Sequence, residues 1–180
     1  MAAVDGRELT LQDSRYDAAT ARRVHGRDLT VSELGCYLSH CAAWELAAAS
    51  TSLTLILESD ARLECTLSEL TSIVDDLGRY DKPWWLCLLY ADDGCNKKSL
   101  AAKIPSLRII KGECSRSHGY VVNPIGARRL LDESLPIKHA LDGFTSRMST
   151  KHEGIMLCST HNLIGWDNNL KSTIQGVPHP

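Results

Sequence analysis

The chain has 180 residues, of which 43% are hydrophobic and 23% charged, so it has the length and composition of one soluble domain with a hydrophobic core. A formal net charge of -2 gives no electrostatic drive towards nucleic acid or an anionic membrane, and a nucleic-acid partner is disfavoured. The longest apolar runs fall far short of the roughly 20 residues that cross a bilayer as a helix, so we expect no transmembrane segment.

The first residues, 1–8, lack the basic start and apolar core of a secretion signal, which predicts a cytoplasmic protein. Cys36 and His40 have the helical spacing i, i+4, and Cys158 lies three residues before His161, but no second pair at ligand spacing completes a structural zinc site. The seven cysteines show no repeated spacing and are expected to be reduced, mostly buried thiols: Cys36, Cys41, Cys65, Cys87, Cys95, Cys114 and Cys158.

The first clear element is a helix that begins after Thr30. Thr30 and Glu33 have the spacing of a capping box and directly precede an apolar-rich segment, which predicts a mostly buried helix to Ala49. The apolar run 53–57 follows a break at 50–52 and predicts a short strand buried on both faces.

The remaining elements alternate in type along the chain. A second capping box at Thr66 predicts a helix to about Leu77, and the order helix, strand, helix, strand predicts a parallel α/β sheet. We further expect a strand within 84–90, a surface loop at 92–98, strands at 107–110 and 119–122, a helix from Pro124, a short helix at 143–148, a strand at 155–158 and an irregular tail from about 160.

The apolar run that ends at Leu57 is followed by two carboxylates, Glu58 and Asp60. Ligands of open α/β sheets bind beyond the carboxyl ends of the strands. If the chain stays extended there, side chains at i and i+2 point the same way and can hold a divalent cation through oxygen ligands. The alternative is that both are solvated loop residues.

The most distinctive stretch of the chain is 29–40, Leu-Thr-Val-Ser-Glu-Leu-Gly-Cys-Tyr-Leu-Ser-His, followed by Trp44. An Ala-Val-Asp-Gly turn precedes it at 3–6, and Leu-Ile-Leu-Glu-Ser-Asp-Ala follows at 55–61. In this order the three segments resemble glycosyltransferase family 25, which includes bacterial lipooligosaccharide galactosyltransferases and collagen galactosyltransferases. Weaker similarities to the family follow at 119–122, 126–131, 141–142 and 172–174.

The resemblance implies one domain over 1–180 with a GT-A-like, mixed and mainly parallel sheet flanked by helices. It implies a UDP-sugar donor, commonly UDP-galactose, a manganese or magnesium ion, and inverting transfer to the hydroxyl of a glycan or lipid-linked glycan. Such an enzyme would be cytoplasmic or peripheral at the inner face of the membrane.

The resemblance also assigns roles to residues. Glu58 and Asp60 take the outer, metal-binding positions of the family's acidic motif, while Ser59 replaces its middle aspartate near the donor. Asp142 matches a later acidic position and is the candidate base for the acceptor hydroxyl, with a helix-capping or salt-bridging role as the alternative.

Asp5, Glu33, Ser39 and His40 are the further candidates for the donor pocket. Each has a structural alternative: a turn for Asp5, the capping box for Glu33, a bond within the helix for Ser39, and a satisfied buried histidine for His40.

Family members usually have a strand-helix-strand unit before the turn at 3–6. Without it, an unpaired sheet edge should promote association with a second copy or a partner chain. A truncated chain, a homologue completed by a partner and a catalytically silent module are all compatible with the sequence. An unrelated phosphoryl-transfer enzyme is disfavoured because no Walker-type phosphate loop is present.

Overall fold

A computed structural model describes residues 3–90, 97–100, 104–114 and 117–167 of the chain. After a short 3-10 helix at Gly6–Glu8, its helices are α1 (Ala18–His25), α2 (Val31–Ala49), α3 (Leu67–Arg79), α4 (Pro124–Ser134) and α5 (Leu141–Lys151). Its strands are β1 (Thr54–Leu57), β2 (Ala61–Leu63), β3 (Leu86–Leu88), β4 (Lys97–Ser99), β5 (Leu107–Ile110), β6 (Gly119–Val122), β7 (Met156–Ser159) and β8 (Ile164–Trp166).

The helix α2 has the predicted start and the predicted burial. The Thr30 hydroxyl accepts a hydrogen bond from the Glu33 N–H, and the Glu33 carboxylate accepts one from the Thr30 N–H, so the capping box is complete. Tyr37 and Trp44 are each 1% exposed or less. A helix with such side chains around it must be enclosed by other elements, and it packs mainly on α4.

The six-stranded sheet has helices on both faces. Its order is β1-β6-β3-β7-β5-β4, and β2 and β8 form a separate pair. One buried cluster joins residues of α2, α4 and α5 to Tyr120 and Val122 of β6, while a second joins residues of α3 to Val121. Because alternate side chains of β6 enter opposite clusters, this strand is buried on both faces.

The expectation of a mainly parallel sheet is wrong. Only β3 and β7 are parallel among the described pairs of this sheet, and the other four pairs are antiparallel. β1 and β3 run in the same direction, as the alternation of helix and strand predicted. However, β6 comes from later in the chain and lies between them, antiparallel to both.

The position of β1 corrects the expectation that it is buried on both faces. β1 is an edge strand, paired only with β6 in the described part of the chain. Ile56 is buried, whereas Leu55 and Leu57 are 40% and 43% exposed. The apolar run therefore predicted the strand but not its position at the edge of the sheet. A run of this composition is compatible with an edge strand as well as with a central strand.

The other expected elements lie at or near their expected positions, with four additions. The observed bounds differ from the predicted ones by at most three residues for three helices and four strands: α3, α4, α5, β3, β5, β6 and β7. α1, β2 and β8 were not expected, and β4 takes up part of the stretch assigned to a loop. β8 also shows that the region after 160 is not wholly irregular, whereas the tail from 168 lies outside the described residues.

Most of the described cysteines are reduced, and three of them are fully buried. Cys41, Cys87 and Cys158 are reduced and buried, and Cys36 and Cys65 are reduced and half-buried. Cys114 is disulfide-bonded, so the expectation of reduced thiols is wrong for it. Cys95 lies outside the described residues. Within the described chain, none of the helices combines the length and apolar character needed to cross a membrane.

The N-terminal turn at 3–6 packs directly on α2. A Cβ atom at Gly35 would lie 2.8 Å from the Gly6 nitrogen, and one at Gly6 would lie 2.4 Å from the Val31 carbonyl oxygen. The two backbones therefore touch only because both residues lack a side chain. This contact positions Asp5 and the start of α2 together.

Replacing Gly35 with alanine should lower the free energy of unfolding by about 1–3 kcal/mol, because the added methyl group displaces backbone rather than a side chain. Gly78→Ala is the matched control in α3, where the space around a new Cβ is open. That change should raise stability by about 0.5–1 kcal/mol. Urea unfolding of both variants checks the pair, and equal effects of the two substitutions would contradict the close packing at Gly35.

Candidate metal and donor site

A tight turn after β1 carries the two acidic residues of the predicted metal site. The Glu58 N–H donates to the His118 carbonyl at 2.9 Å, and the Ala61 N–H donates to the Glu58 carbonyl at 3.1 Å. The chain therefore turns at 59–60 and is not extended, so the strand alternation assumed for Glu58 and Asp60 does not apply. The relative positions of the two carboxylates are therefore set by the tertiary structure and not by strand alternation.

Asp60 contains an unusual carboxylate oxygen. Its Oδ1 is buried and has no hydrogen-bond partner among the described residues. Its backbone carbonyl, by contrast, accepts a hydrogen bond from the Asp167 N–H at 2.8 Å, which fixes the turn to the end of β8. A buried polar atom without a partner costs about 1–3 kcal/mol, and more when it is charged. A cation beside Oδ1 would remove that cost, so the site fits a divalent ion bound through oxygen.

Glu58 lies against one face of α2. Single ligand-type atoms of Cys36, His40 and Glu58 all lie within 4.8 Å of one another. The closest measured approach is 3.5 Å, between His40 Nε2 and Glu58 Oε1. Cys36 and His40 share this face because they are one helical turn apart.

The ring of His40 is fixed by buried neighbours. Its Nδ1 lies 2.6 Å from the Tyr120 hydroxyl, and the Trp44 indole N–H donates to the same hydroxyl oxygen at 2.9 Å. The rings of His40 and Tyr120 are also stacked, with centroids 5.6 Å apart. His40 is only 5% exposed, so these contacts leave Nε2 directed at Glu58. His40 is thus a satisfied buried histidine that also borders the acidic turn.

Negative charge is concentrated around Cys36. The pKa of its thiol is raised to about 12, first by burial and then by four carboxylates, those of Glu58, Asp142, Asp60 and Glu33. The carboxylates of the predicted metal site and that of the predicted base thus all act electrostatically on the same thiol. Such a concentration of negative charge favours a bound cation.

Asp142 lies in the first turn of α5, where the N-cap is Ala140 without a side-chain cap. Its Oδ1 accepts a hydrogen bond from the Ser117 N–H at 3.0 Å. It does not cap its own helix, so that alternative is wrong. The bond to Ser117 instead holds the carboxylate in one orientation near the segment that leads into β6.

Three other candidate residues have clear structural contacts. The Arg27 guanidinium pairs with Glu33 at 2.8 Å, and although burial alone would raise the pKa of Glu33, the hydrogen bonds from Arg27 and Thr30 lower it. The Ser39 hydroxyl donates to the Gly35 carbonyl and accepts from the Val4 N–H at 2.9 Å.

Asp5 is the third. It caps the 3-10 helix and pairs with Arg7 at 2.6 Å, and hydrogen bonds from Arg7 lower its pKa to about 2. Ser59, the replaced position of the acidic motif, is exposed in the turn. Donor contacts of these residues stay predictions.

Sequence reasoning did not single out Tyr120 as part of the site. The residue lies within the weaker family similarity at 119–122. A tyrosine at the centre of an apolar strand is a usable signal, because a buried phenol hydroxyl needs a hydrogen-bond partner. The identity of the partners, Trp44 and His40, is visible only in the fold.

Comparison with known sequences adds an independent observation. The sequence profile described as glycosyltransferase family 25 (LPS biosynthesis protein) matches residues 1–145, which include every candidate site residue from Asp5 to Asp142. The chain belongs to glycosyltransferase family 25. The resemblance inferred from the motifs is therefore confirmed.

Members of family 25 with known names are similar to this chain at modest identity. Procollagen galactosyltransferase 1-B of Xenopus laevis is 28% identical over 166 residues, which is 76% of this chain and 26% of the relative. Inactive glycosyltransferase 25 family member 3 of Homo sapiens is 31% identical over 132 residues, 71% of this chain and 22% of the relative.

A third relative, glycosyltransferase 25 family member of Aedes aegypti, is 27% identical over 177 residues, 91% of this chain and 29% of the relative. The chain thus spans about a quarter of the length of these relatives.

Replacing Tyr120 with phenylalanine should lower the free energy of unfolding by about 1–3 kcal/mol, because it leaves buried ring nitrogens of Trp44 and His40 without their shared partner. Tyr80→Phe is the control, since its hydroxyl makes no hydrogen bond within the described residues, and we expect a change within about 0.5 kcal/mol. Denaturant unfolding followed by tryptophan fluorescence measures both. A Tyr120→Phe protein as stable as the parent would rule out this role of the hydroxyl.

Proposed function

We propose that this chain carries a metal-dependent, inverting glycosyltransferase activity that moves a sugar, galactose as the first choice, from a UDP-sugar to an acceptor hydroxyl. Glu58 and Asp60 bind the manganese or magnesium ion, and Asp142 is the general base. The GT-A type of fold belongs to the same proposal. Ser59, His40, Ser39, Glu33 and Asp5 line or support the donor pocket.

The observation that carries the proposal is the buried Oδ1 of Asp60, which has no partner among the described residues. It belongs to the acidic motif of a family 25 chain and lies in a region where four carboxylates act on one thiol. A folded protein keeps such a costly arrangement where a ligand offsets the cost. A divalent cation bound there supplies positive charge to the diphosphate of the donor and so favours its departure.

The proton of the acceptor hydroxyl has to be removed as its oxygen attacks the anomeric carbon from the side opposite UDP. Asp142 is suited to this step because its Oδ1 is held by the Ser117 N–H and its charge reaches the same region as those of Glu58 and Asp60. A fixed carboxylate can accept the proton without first reorienting.

The names of the relatives bear on the acceptor and the compartment. Procollagen is a second acceptor class beside cell-surface glycans such as lipooligosaccharide, because related proteins are named procollagen galactosyltransferases. The disulfide at Cys114 favours an oxidising compartment over the cytoplasm expected from the sequence.

A catalytically silent binding module is the second candidate. Ser59 stands where the family's acidic motif has its middle carboxylate, and a serine can form hydrogen bonds but cannot supply the charge. A relative that is 31% identical is named an inactive family member. In this case the fold would persist while donor binding is lost.

Calorimetric titration of UDP and UDP-galactose into the chain, with manganese and then with EDTA, separates the two candidates. We expect manganese to tighten UDP binding by about tenfold or more, equivalent to about 1.4 kcal/mol. Asp60→Ala should remove that gain, and Asp132→Ala, an exposed carboxylate of α4, should leave it unchanged. Absence of UDP binding in both conditions would favour the silent module.

Asp60→Ala should weaken manganese-dependent UDP binding but stabilise the metal-free protein. Asp60→Ala removes a buried oxygen without a partner, so we expect it to raise the free energy of unfolding in EDTA by about 1 kcal/mol. Manganese at 100 times its dissociation constant should stabilise the parent by about 2.7 kcal/mol and the variant by none of this amount. Thermal unfolding with and without manganese gives both values, and a destabilised variant in EDTA would show that Oδ1 is satisfied in solution.

A further inference from the structure

Cys36, His40 and Glu58 form a cluster with a different chemical character from the acidic motif. It combines a sulfur, an imidazole nitrogen and a carboxylate oxygen, all within 4.8 Å of one another. We propose that this cluster is a binding site for zinc, a thiophilic divalent cation, with a fourth position left for water or a ligand. The oxygen ligands of Glu58 and Asp60 suit manganese or magnesium, whereas a thiolate and an imidazole select zinc.

The spacing of the three atoms supports a tetrahedral site. Zinc bond lengths of about 2.0–2.3 Å place neighbouring ligand atoms of a tetrahedron roughly 3.4–3.8 Å apart. His40 Nε2 and Glu58 Oε1 already have this separation, at 3.5 Å. The Cys36 sulfur has a ligand-type atom of each of the other two residues within 4.8 Å, and rotation about its χ1 angle can adjust these distances.

The backbone geometry makes the site largely preformed. Cys36 and His40 come from successive turns of a buried helix, and Glu58 is fixed by the hydrogen bond of its N–H to His118. The backbone is thus held in place at all three positions, and metal binding has to order only the side chains.

His40 has the neighbour that a metal-binding histidine requires. Such residues carry a proton on the nitrogen that is not bound to metal and donate it to a fixed partner. The Tyr120 oxygen lies 2.6 Å from Nδ1 and is itself held by the Trp44 indole. With the proton on Nδ1, the lone pair of Nε2 faces Glu58 and the metal position.

The charge around the cluster attracts a cation. Asp142 and Asp60 act on Cys36 in addition to Glu58, and these three carboxylates add to the attraction for zinc, whereas the charge of Glu33 is offset by Arg27. Zinc binding forms a bond from sulfur to zinc, breaks the S–H bond and releases one proton to solvent.

Zinc bound at this cluster would affect the proposed transferase activity. This effect, competition between zinc and manganese, rests on the proposed function. Glu58 cannot serve the zinc and the catalytic manganese with the same oxygens, so zinc should compete with manganese-dependent donor binding. The zinc site itself depends only on the three side chains, and it exists whether or not the chain transfers a sugar.

Cobalt(II) provides the test, because a thiolate bound to it gives a charge-transfer absorption in the near ultraviolet that oxygen ligands do not give. We expect cobalt to bind one-to-one with this band and zinc to abolish it by displacement. Cys36→Ser should lose the band, and Glu58→Gln should weaken cobalt binding by about tenfold or more. Cys65→Ser, a half-buried free thiol elsewhere, is the matched control and should keep the band.

Two results would overturn the site: no band in the parent chain, or a band that survives in Cys36→Ser. Circular dichroism confirms that the variants are folded, and Glu58→Gln retains all the thiols if Cys36→Ser does not fold. The failure of the proposed function is a separate result, because a chain with the cobalt band but without manganese-dependent UDP binding keeps the zinc site and loses the transferase.

Discussion

The hydroxyl group of Tyr120 joins the buried helix α2 to strand β6 of the sheet, and the candidate site depends on that junction. Trp44 and His40 lie one turn apart on the helix, and both direct a ring nitrogen at the same oxygen. Polar groups in a dry core have to be paired, so the hydroxyl fixes the position of the helix as well as the ring of His40. The orientation of Nε2 towards Glu58 follows from this pairing.

Three of the candidate acidic residues, Asp5, Glu33 and Asp60, have two different kinds of surroundings. Asp5 and Glu33 are paired with arginines and with backbone N–H groups, which is the arrangement expected of structural carboxylates. Asp60, in contrast, has a buried oxygen without a partner in the described chain. Asp5 and Glu33 stabilise the turn at 3–6 and the start of α2. The buried oxygen of Asp60 lowers the stability of the metal-free protein at the place where a ligand is proposed to bind.

The fold departs from the sequence-based expectation where residues distant in the chain meet. The alternation of helix and strand correctly indicates that β1 and β3 run in one direction. It cannot indicate that β6, which begins more than 30 residues later, pairs between them. For the same reason the exposure of Leu55 and Leu57 at the edge was not predicted, because burial depends on which strands become neighbours.

Local structure and family membership are predictable from the amino-acid sequence. Side-chain capping, apolar periodicity and proline placement act over a few residues, so Thr30, Thr66 and Pro124 predict where three helices begin, and the motifs at 29–40 and 55–61 identify family 25. Tertiary structure alone decided the antiparallel order of the sheet, the partners of Tyr120 and the meeting of Glu58 with Cys36 and His40. These contacts join residues far apart in the chain, and their geometry is set by packing of the whole core.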